Sequence, residues 1–175
     1  CLSYGELDEK VRLLANNLKS LGVKKNDFVV ICTERSIEMM VGIMAVLKAG
    51  AAYVPIAPNY PSERKQYIIN DCNSKVVLVY KSEVDTDRYV IDLEKPIQQI
   101  DQLDEKNDSI DDFDCAAYCI YTSGTTGNPK GVVVNRKGLN NLINWMQKQY
   151  KLTKEDVILQ KTTYVFDVSV SELFW

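Results

Sequence analysis

"DFVVICTERSIEMMVGIMAVLKAGAAYVPI", Asp27 to Ile56, sets two apolar runs on either side of a longer apolar segment. "DFVVICT" (Asp27 to Thr33) is continuously apolar and rich in β-branched residues, the pattern of a strand buried on both faces. "IEMMVGIMAVLKAG" (Ile37 to Gly50) reads as a largely buried helix stopped by glycine, and "AAYVPI" (Ala51 to Ile56) as a second short strand. Strand, helix and strand in this order form a right-handed crossover unit, whose two strands lie parallel.

The same alternation extends in both directions. Upstream, Ser3 and Glu6 of "SYGE" have capping-box spacing, and Leu7, Val11, Leu14, Leu18 and Leu21 follow at helical intervals up to Gly22. Downstream, Pro55, Pro58 and Pro61 impose an extended loop before a third helix, "SERKQYIINDC", and a third strand, "KVVLVY". The expected fold is therefore α/β, a parallel sheet flanked by helices. Met39, Met40 and Met44 read as core filler.

Composition narrows the class. The chain has 175 residues, 46% hydrophobic and 26% charged, enough apolar material for a real core. A net charge of -3 offers no basic field for a polyanion, so neither nucleic acid nor membrane is an expected partner. There is no spanning run and "CLSYGELDEK" has no signal-peptide order, so a cytoplasmic location is expected. The five cysteines are odd in number, lack a C-x-x-C pair and sit mostly in apolar contexts, which points to buried thiols. Strand spacing would put Cys115 and Cys119 on one face, but two thiols make a poor metal site, and no metal ligands are expected. With no histidine, neither Ser-His-Asp nor Cys-His catalysis can arise within the chain.

Residues 101–114, "DQLDEKNDSIDDFD", carry seven acids against one lysine and read as a solvated acidic connection. They lack the central glycine and residue order of an EF-hand calcium loop. A buried strand, "CAAYCIY", follows and leads into "YTSGTTGNPKG", Tyr121 to Gly131. Thr122, Ser123, Thr125 and Thr126 supply hydroxyls, Gly124 and Gly127 free the backbone N–H groups to turn toward an anion, and Lys130 adds a full positive charge. Taken as composition alone, a surface turn accounts for the stretch equally well. A P-loop is excluded, because the second glycine of that motif falls on Pro129, Lys130 is followed by Gly131, and "GVVV" makes the setting strand–loop–strand. With no phosphate bound, Tyr121 to Gly131 is expected to be a poorly ordered loop. The next helix is expected to start after Asn135 and run through "GLNNLINWMQKQY".

"YTSGTTGNPKGV" closely resembles the phosphate-loop signature of adenylate-forming enzymes, the superfamily of acyl-CoA synthetases, luciferases and the amino-acid adenylation domains of nonribosomal peptide synthetases. Three more stretches resemble the adenylation-domain branch: "LSYGELDEKVRLLANNLKSLGV", "LKAGAAYVPIAPNYPSERKQYIINDC" and "FDVSVSELFW". The resemblance implies the N-terminal part of the large domain of such an enzyme, with residues 1–100 a first α/β subdomain, 101–114 the acidic connection, and 115–175 the phosphate-loop segment and the start of the substrate-binding subdomain. It implies that Thr122, Ser123, Gly124, Thr125, Thr126, Gly127 and Lys130 hold the ATP phosphates, and that Phe166, Asp167, Val168 and Ser171 face the substrate.

The implied cofactors are ATP and Mg2+, with phosphopantetheine on a partner carrier domain. The implied partners are an amino acid, a peptidyl carrier protein domain and neighbouring synthetase domains. The family's later ATP and magnesium motifs and its catalytic lysine do not occur, so the chain is expected to be an inactive fragment with no catalytic residue of its own. Apolar surface is expected to be exposed at Leu173 to Trp175. An acyl-CoA or aryl-acid ligase, or a degenerate domain that only docks carrier proteins, is the alternative. Three departures stand out: Ala57 where an aspartate is usual, Arg136 where histidine is frequent, and Ser171 where tryptophan is common. The last should widen or polarise the substrate pocket. Asp167, taken by itself, reads as a helix N-cap; the resemblance assigns it to the substrate ammonium.

Overall fold

The computed structural model describes residues 1–97, 113–123 and 128–175. Helix α1 (Tyr4–Ser20) starts from the expected capping box: Ser3 Oγ accepts the Glu6 N–H at 3.3 Å, and the Ser3 N–H donates to Glu6 Oε2 at 2.7 Å. Its buried stripe is Val11, Leu14, Ala15 and Leu18, and it ends just before Gly22, whose φ of +81° a side chain would resist. Then come β1 (Phe28–Thr33), α2 (Ile37–Lys48), β2 (Ala52–Ile56), α3 (Ser62–Asp71), β3 (Val76–Tyr80) and β4 (Tyr89–Asp92). The described remainder is β5 (Ala116–Thr122), β6 (Lys130–Asn135), α4 (Arg136–Tyr150) and α5 (Val168–Phe174).

One six-stranded sheet runs in the order β4-β3-β1-β2-β5-β6. All neighbouring strands are parallel except β5 and β6, which are antiparallel. The short link between those two strands requires this, because a parallel pair needs a long crossover. The sheet is buried on both faces by strand alternation: Val29 and Ile31 face the layer of α1 and α2, whereas Val30 and Cys32 face the layer of α3. Met39 is buried in the first layer, with Met40 and Met44 packed against it. At its centre Tyr53, fully buried, has its ring centroid 5.7 Å from that of Tyr118 and 6.2 Å from that of Phe174.

Several expectations need revision. Strand β4 was unmarked in the sequence, since "YVID" is a short, half-covered edge strand defined by its pairing with Val76–Val79. Cys115 lies just before β5 rather than in it, and a register irregularity between Ala116 and Tyr118 interrupts the simple alternation on which the pairing of Cys115 with Cys119 was based. Leu173 to Trp175 is not an exposed apolar patch. Leu173 is buried, Phe174 packs on Tyr53, and the Trp175 indole N–H donates to Gln147 Oε1 at 3.1 Å. The i, i+3, i+4 spacing of Val170, Leu173 and Phe174 turns these side chains inward. Exposed large apolar side chains lie instead on β6 (Val132, Val133) and at Val157, Leu159, Phe166 and Val168. Arg136, the expected histidine position, donates from its guanidinium to the Leu47 carbonyl at 2.5 Å, a charge suited to the C-terminal end of α2. Residues 101–112 of the acidic connection lie outside the described residues, and β5 and β6 beyond it join the same sheet as β1 to β4.

Candidate functional site

The end of the β5–β6 hairpin gathers the described part of the glycine- and threonine-rich stretch. Tyr121 pairs with Gly131 and Thr122 with Lys130, so these four residues are strand, not the poorly ordered loop expected from Tyr121 to Gly131. Cross-strand hydrogen bonding takes them out of the loop. Gly124, Thr125, Thr126 and Gly127 lie outside the described residues. Thr122, Ser123 and Lys130 are exposed at the mouth, with the Thr122 hydroxyl residue and the Lys130 cation directly opposite each other. Lys130 has no ion pair among the described residues. Hydroxyl donors and an uncompensated ammonium at one strand end form a donor set that suits phosphate oxygens.

Beneath the mouth the packing is close. A Cβ on Gly131 would stand 2.7 Å from Cys119 Sγ and 3.1 Å from Tyr121 Cζ, so this glycine is required by space rather than by flexibility. Tyr121 Oη donates to Asp71 Oδ2 at 2.6 Å, and Tyr67 Oη donates to the Pro129 carbonyl at 3.2 Å. Burial, followed by the Asp71 contact, pushes the Tyr121 phenol well above its ordinary value, so it remains a neutral donor.

A second group lies at the carboxyl ends of the central strands, where open α/β sheets place their ligands. Tyr164 Oη accepts the Thr33 N–H at 2.9 Å and donates to the Ile56 carbonyl at 2.7 Å, closing the ends of β1 and β2. The Glu172 carboxylate accepts the N–H groups of Lys161 at 2.9 Å and Thr162 at 2.8 Å, and the Thr162 hydroxyl at 2.6 Å. These bonds hold its pKa below the usual glutamate range. They clamp the chain before Phe166 onto α5 and so fix the turn that presents Asp167.

Asp167 is not the N-cap that its position before an apolar stretch suggested. Its φ of -60° and ψ of -30° are helical, not the extended backbone an N-cap carboxylate needs to fold back, and it makes no side-chain cap bond. Phe166, Asp167 and Val168 are all exposed. Its charge nonetheless reaches Tyr118, whose phenol is pushed up first by burial and then by Asp167. Ser171 is half-buried and its hydroxyl is turned back onto the Val168 carbonyl at 2.9 Å.

Strand β5 carries both Tyr118, which feels the Asp167 charge, and Thr122 at the hairpin mouth. Four strand residues cover about 13 Å, a length that an amino acid in line with a triphosphate can span. Sequence reasoning missed Tyr67, Asp71, Tyr164, Glu172 and the packing role of Gly131. The only local signal was the four-residue spacing of Tyr67 and Asp71, which sets both on one face of α3. Among the described residues no group of three metal-ligating side chains occurs, and no helix is long and apolar enough to cross a membrane.

This fold and donor set define a class, and comparison with known proteins identifies it. The chain belongs to the AMP-binding enzyme family, whose model it matches over residues 1–175. It is 47% identical to one of the polypeptides of mycosubtilin synthase from Bacillus subtilis, with 99% of this chain covering 7% of that protein. It is 45% identical to zwittermicin A synthase ZmaJ of Bacillus cereus, covering 34% of it with 99% of this chain. The solved structure of holo-AB3403, a four-domain nonribosomal peptide synthetase bound to AMP and glycine, superposes with a TM-score of 0.82 at 30% identity over 99% of this chain and 13% of its own. The chain thus spans about a third or less of the length of each of these relatives.

Proposed function

We propose that this chain serves as the phosphate-facing and substrate-facing part of an amino-acid adenylation domain in a cytoplasmic nonribosomal peptide synthetase. An oxygen of the amino-acid carboxylate attacks the α-phosphorus of MgATP, the bond to the β-phosphate oxygen breaks, and aminoacyl-AMP and pyrophosphate result. The aminoacyl group then passes to the phosphopantetheine thiol of a peptidyl carrier protein domain, one of several neighbouring synthetase domains. Thr122, Ser123, Gly124, Thr125, Thr126, Gly127 and Lys130 hold the β- and γ-phosphates. Asp167 meets the substrate ammonium, and Phe166, Val168 and Ser171 border the side chain. Magnesium arrives with ATP. Positioning and charge stabilisation are what such a site contributes to phosphoryl chemistry.

The observation that carries this reading is an exposed cation directly opposite a hydroxyl residue at the end of β5. AB3403, the similar synthetase, holds AMP together with glycine, an α-amino acid. ATP–pyrophosphate exchange by the full-length protein across a panel of amino and carboxylic acids tests it. Exchange is expected with an α-amino acid, and Asp167→Ala is expected to weaken use of that acid by at least about tenfold while sparing its des-amino analogue. Equal loss for both would mean that Asp167 has only a structural role, and exchange confined to acids that lack the amine would refer the activity to an acyl-CoA or aryl-acid ligase. No exchange with any acid would leave a domain that only docks carrier proteins. The 175 residues alone are expected to form no aminoacyl-AMP.

A further inference from the structure

We propose that α3 holds the phosphate-loop hairpin in place, making Tyr67 and Asp71 positioning residues for MgATP; this rests on the adenylation reading above. The two side chains lie one helical turn apart and reach opposite sides of the hairpin mouth. Asp71 takes the Tyr121 hydroxyl at the end of β5, and Tyr67 gives its hydroxyl to the carbonyl of Pro129, immediately before β6. The contacts therefore bracket the connection between the strands at both of its ends.

Among the described residues β6 pairs with β5 alone, and its Val132 and Val133 are half-exposed. Lys130 is its first residue, next in sequence to Pro129. A hydroxyl fixed on α3, whose Ile68 and Ile69 are fully packed in the core, sets where that residue begins. Gly131 pairs with Tyr121 across the hairpin and has no room for a side chain beneath it, so a shift of Tyr121 reaches the same point. Phosphate recognition depends steeply on such placement, because a misplacement of about 1 Å can cost a hundredfold in rate. Tyr67 and Asp71 thus act through Lys130 and the backbone beside it.

The full-length synthetase provides the test, with Tyr67→Phe, Asp71→Val and Asp71→Asn compared by ATP–pyrophosphate exchange. Tyr67→Phe and Asp71→Val are expected to raise the KM for MgATP at least about fivefold, with the amino-acid KM changed less than about twofold. Asp71→Asn keeps an acceptor oxygen for Tyr121 and should rescue most of the loss. Equal rises in both KM values, an unchanged MgATP KM, or an Asn variant as impaired as the Val variant would overturn the proposal. A wild-type protein that shows no exchange with any acid would defeat the adenylation reading instead. Amide hydrogen exchange across residues 128–135 then decides the brace: faster exchange in Tyr67→Phe supports it, and unchanged exchange overturns it.

Discussion

Gly131→Ala is the most direct probe of the hairpin mouth. In an open strand the change should help, since glycine costs about 0.5–1 kcal/mol relative to alanine. Here the new methyl would stand 2.7 Å from Cys119 Sγ and 3.1–3.2 Å from two ring carbons of Tyr121. Apolar atoms settle at about 3.5–4.0 Å, so one of the groups must yield by most of an ångström. Cys119 is buried in the sheet and Tyr121 is tethered to Asp71, so the β6 backbone is the part left to move. Overpacking of this kind costs about 1–3 kcal/mol; offset by the propensity gain, a net loss of about 1–2 kcal/mol is expected. For a chain of this size that lowers the melting temperature by about 2–8 °C. Urea denaturation followed by circular dichroism gives the free energy, and the double variant with Cys119→Ala gives the coupling. If the sulfur is the obstacle, the pair should recover about 1 kcal/mol relative to the sum of the single changes. A stabilised or neutral Gly131→Ala, or strict additivity with Cys119→Ala, would refute the steric account.

On the adenylation reading proposed above, Lys130→Ala in the full-length protein should slow adenylation by about 2–4 kcal/mol in the transition state, roughly 30- to 1000-fold, without altering which amino acid is preferred. Unchanged exchange kinetics would reduce Lys130 to a surface turn residue. Tyr164→Phe leaves the buried Thr33 N–H and Ile56 carbonyl without this partner and should cost about 1–3 kcal/mol, read as a lower urea midpoint at constant slope. The Glu172 clamp favours the ionised carboxylate, so its contribution is complete above the ordinary glutamate pKa and is lost as pH falls through the lower folded value. The amide resonances of Lys161 and Thr162 should titrate together in that acidic window and cease to do so in Glu172→Gln.

What could be read in advance depended on how local its cause was. The Ser3–Glu6 box, the Gly22 stop and the apolar runs from Phe28 to Tyr80 each carry their instruction within a few residues, and the elements formed where expected. The strand "YVID" carries none, because its assignment depends on β3 lying beside it. The threonine-rich stretch was legible only as a donor set, and the family resemblance was needed to separate it from a turn. Beyond the shared helix face of Tyr67 and Asp71 its supports were not legible, because Tyr67 and Pro129 are 62 residues apart and Tyr121 and Asp71 are 50 apart. Asp167 shows the opposite error: standing before an apolar helical stretch it read as an N-cap, but its own backbone is helical and its side chain makes no cap bond.

Tyr164 has a consequence for how the chain folds. Its hydroxyl completes hydrogen bonds to Thr33 and Ile56 across 131 and 108 residues of sequence, long after β1 and β2 could have paired with each other. During synthesis at about 5–20 residues per second, those strand ends wait several seconds for the tyrosine to be made. Until it docks, one amide and one carbonyl at the centre of the sheet must be satisfied by water, and closing so long a loop is entropically costly. Docking of residues 160–175 is therefore expected as a late, slow phase, visible in refolding as delayed protection of the Thr33 amide after the neighbouring β1 amides are already protected.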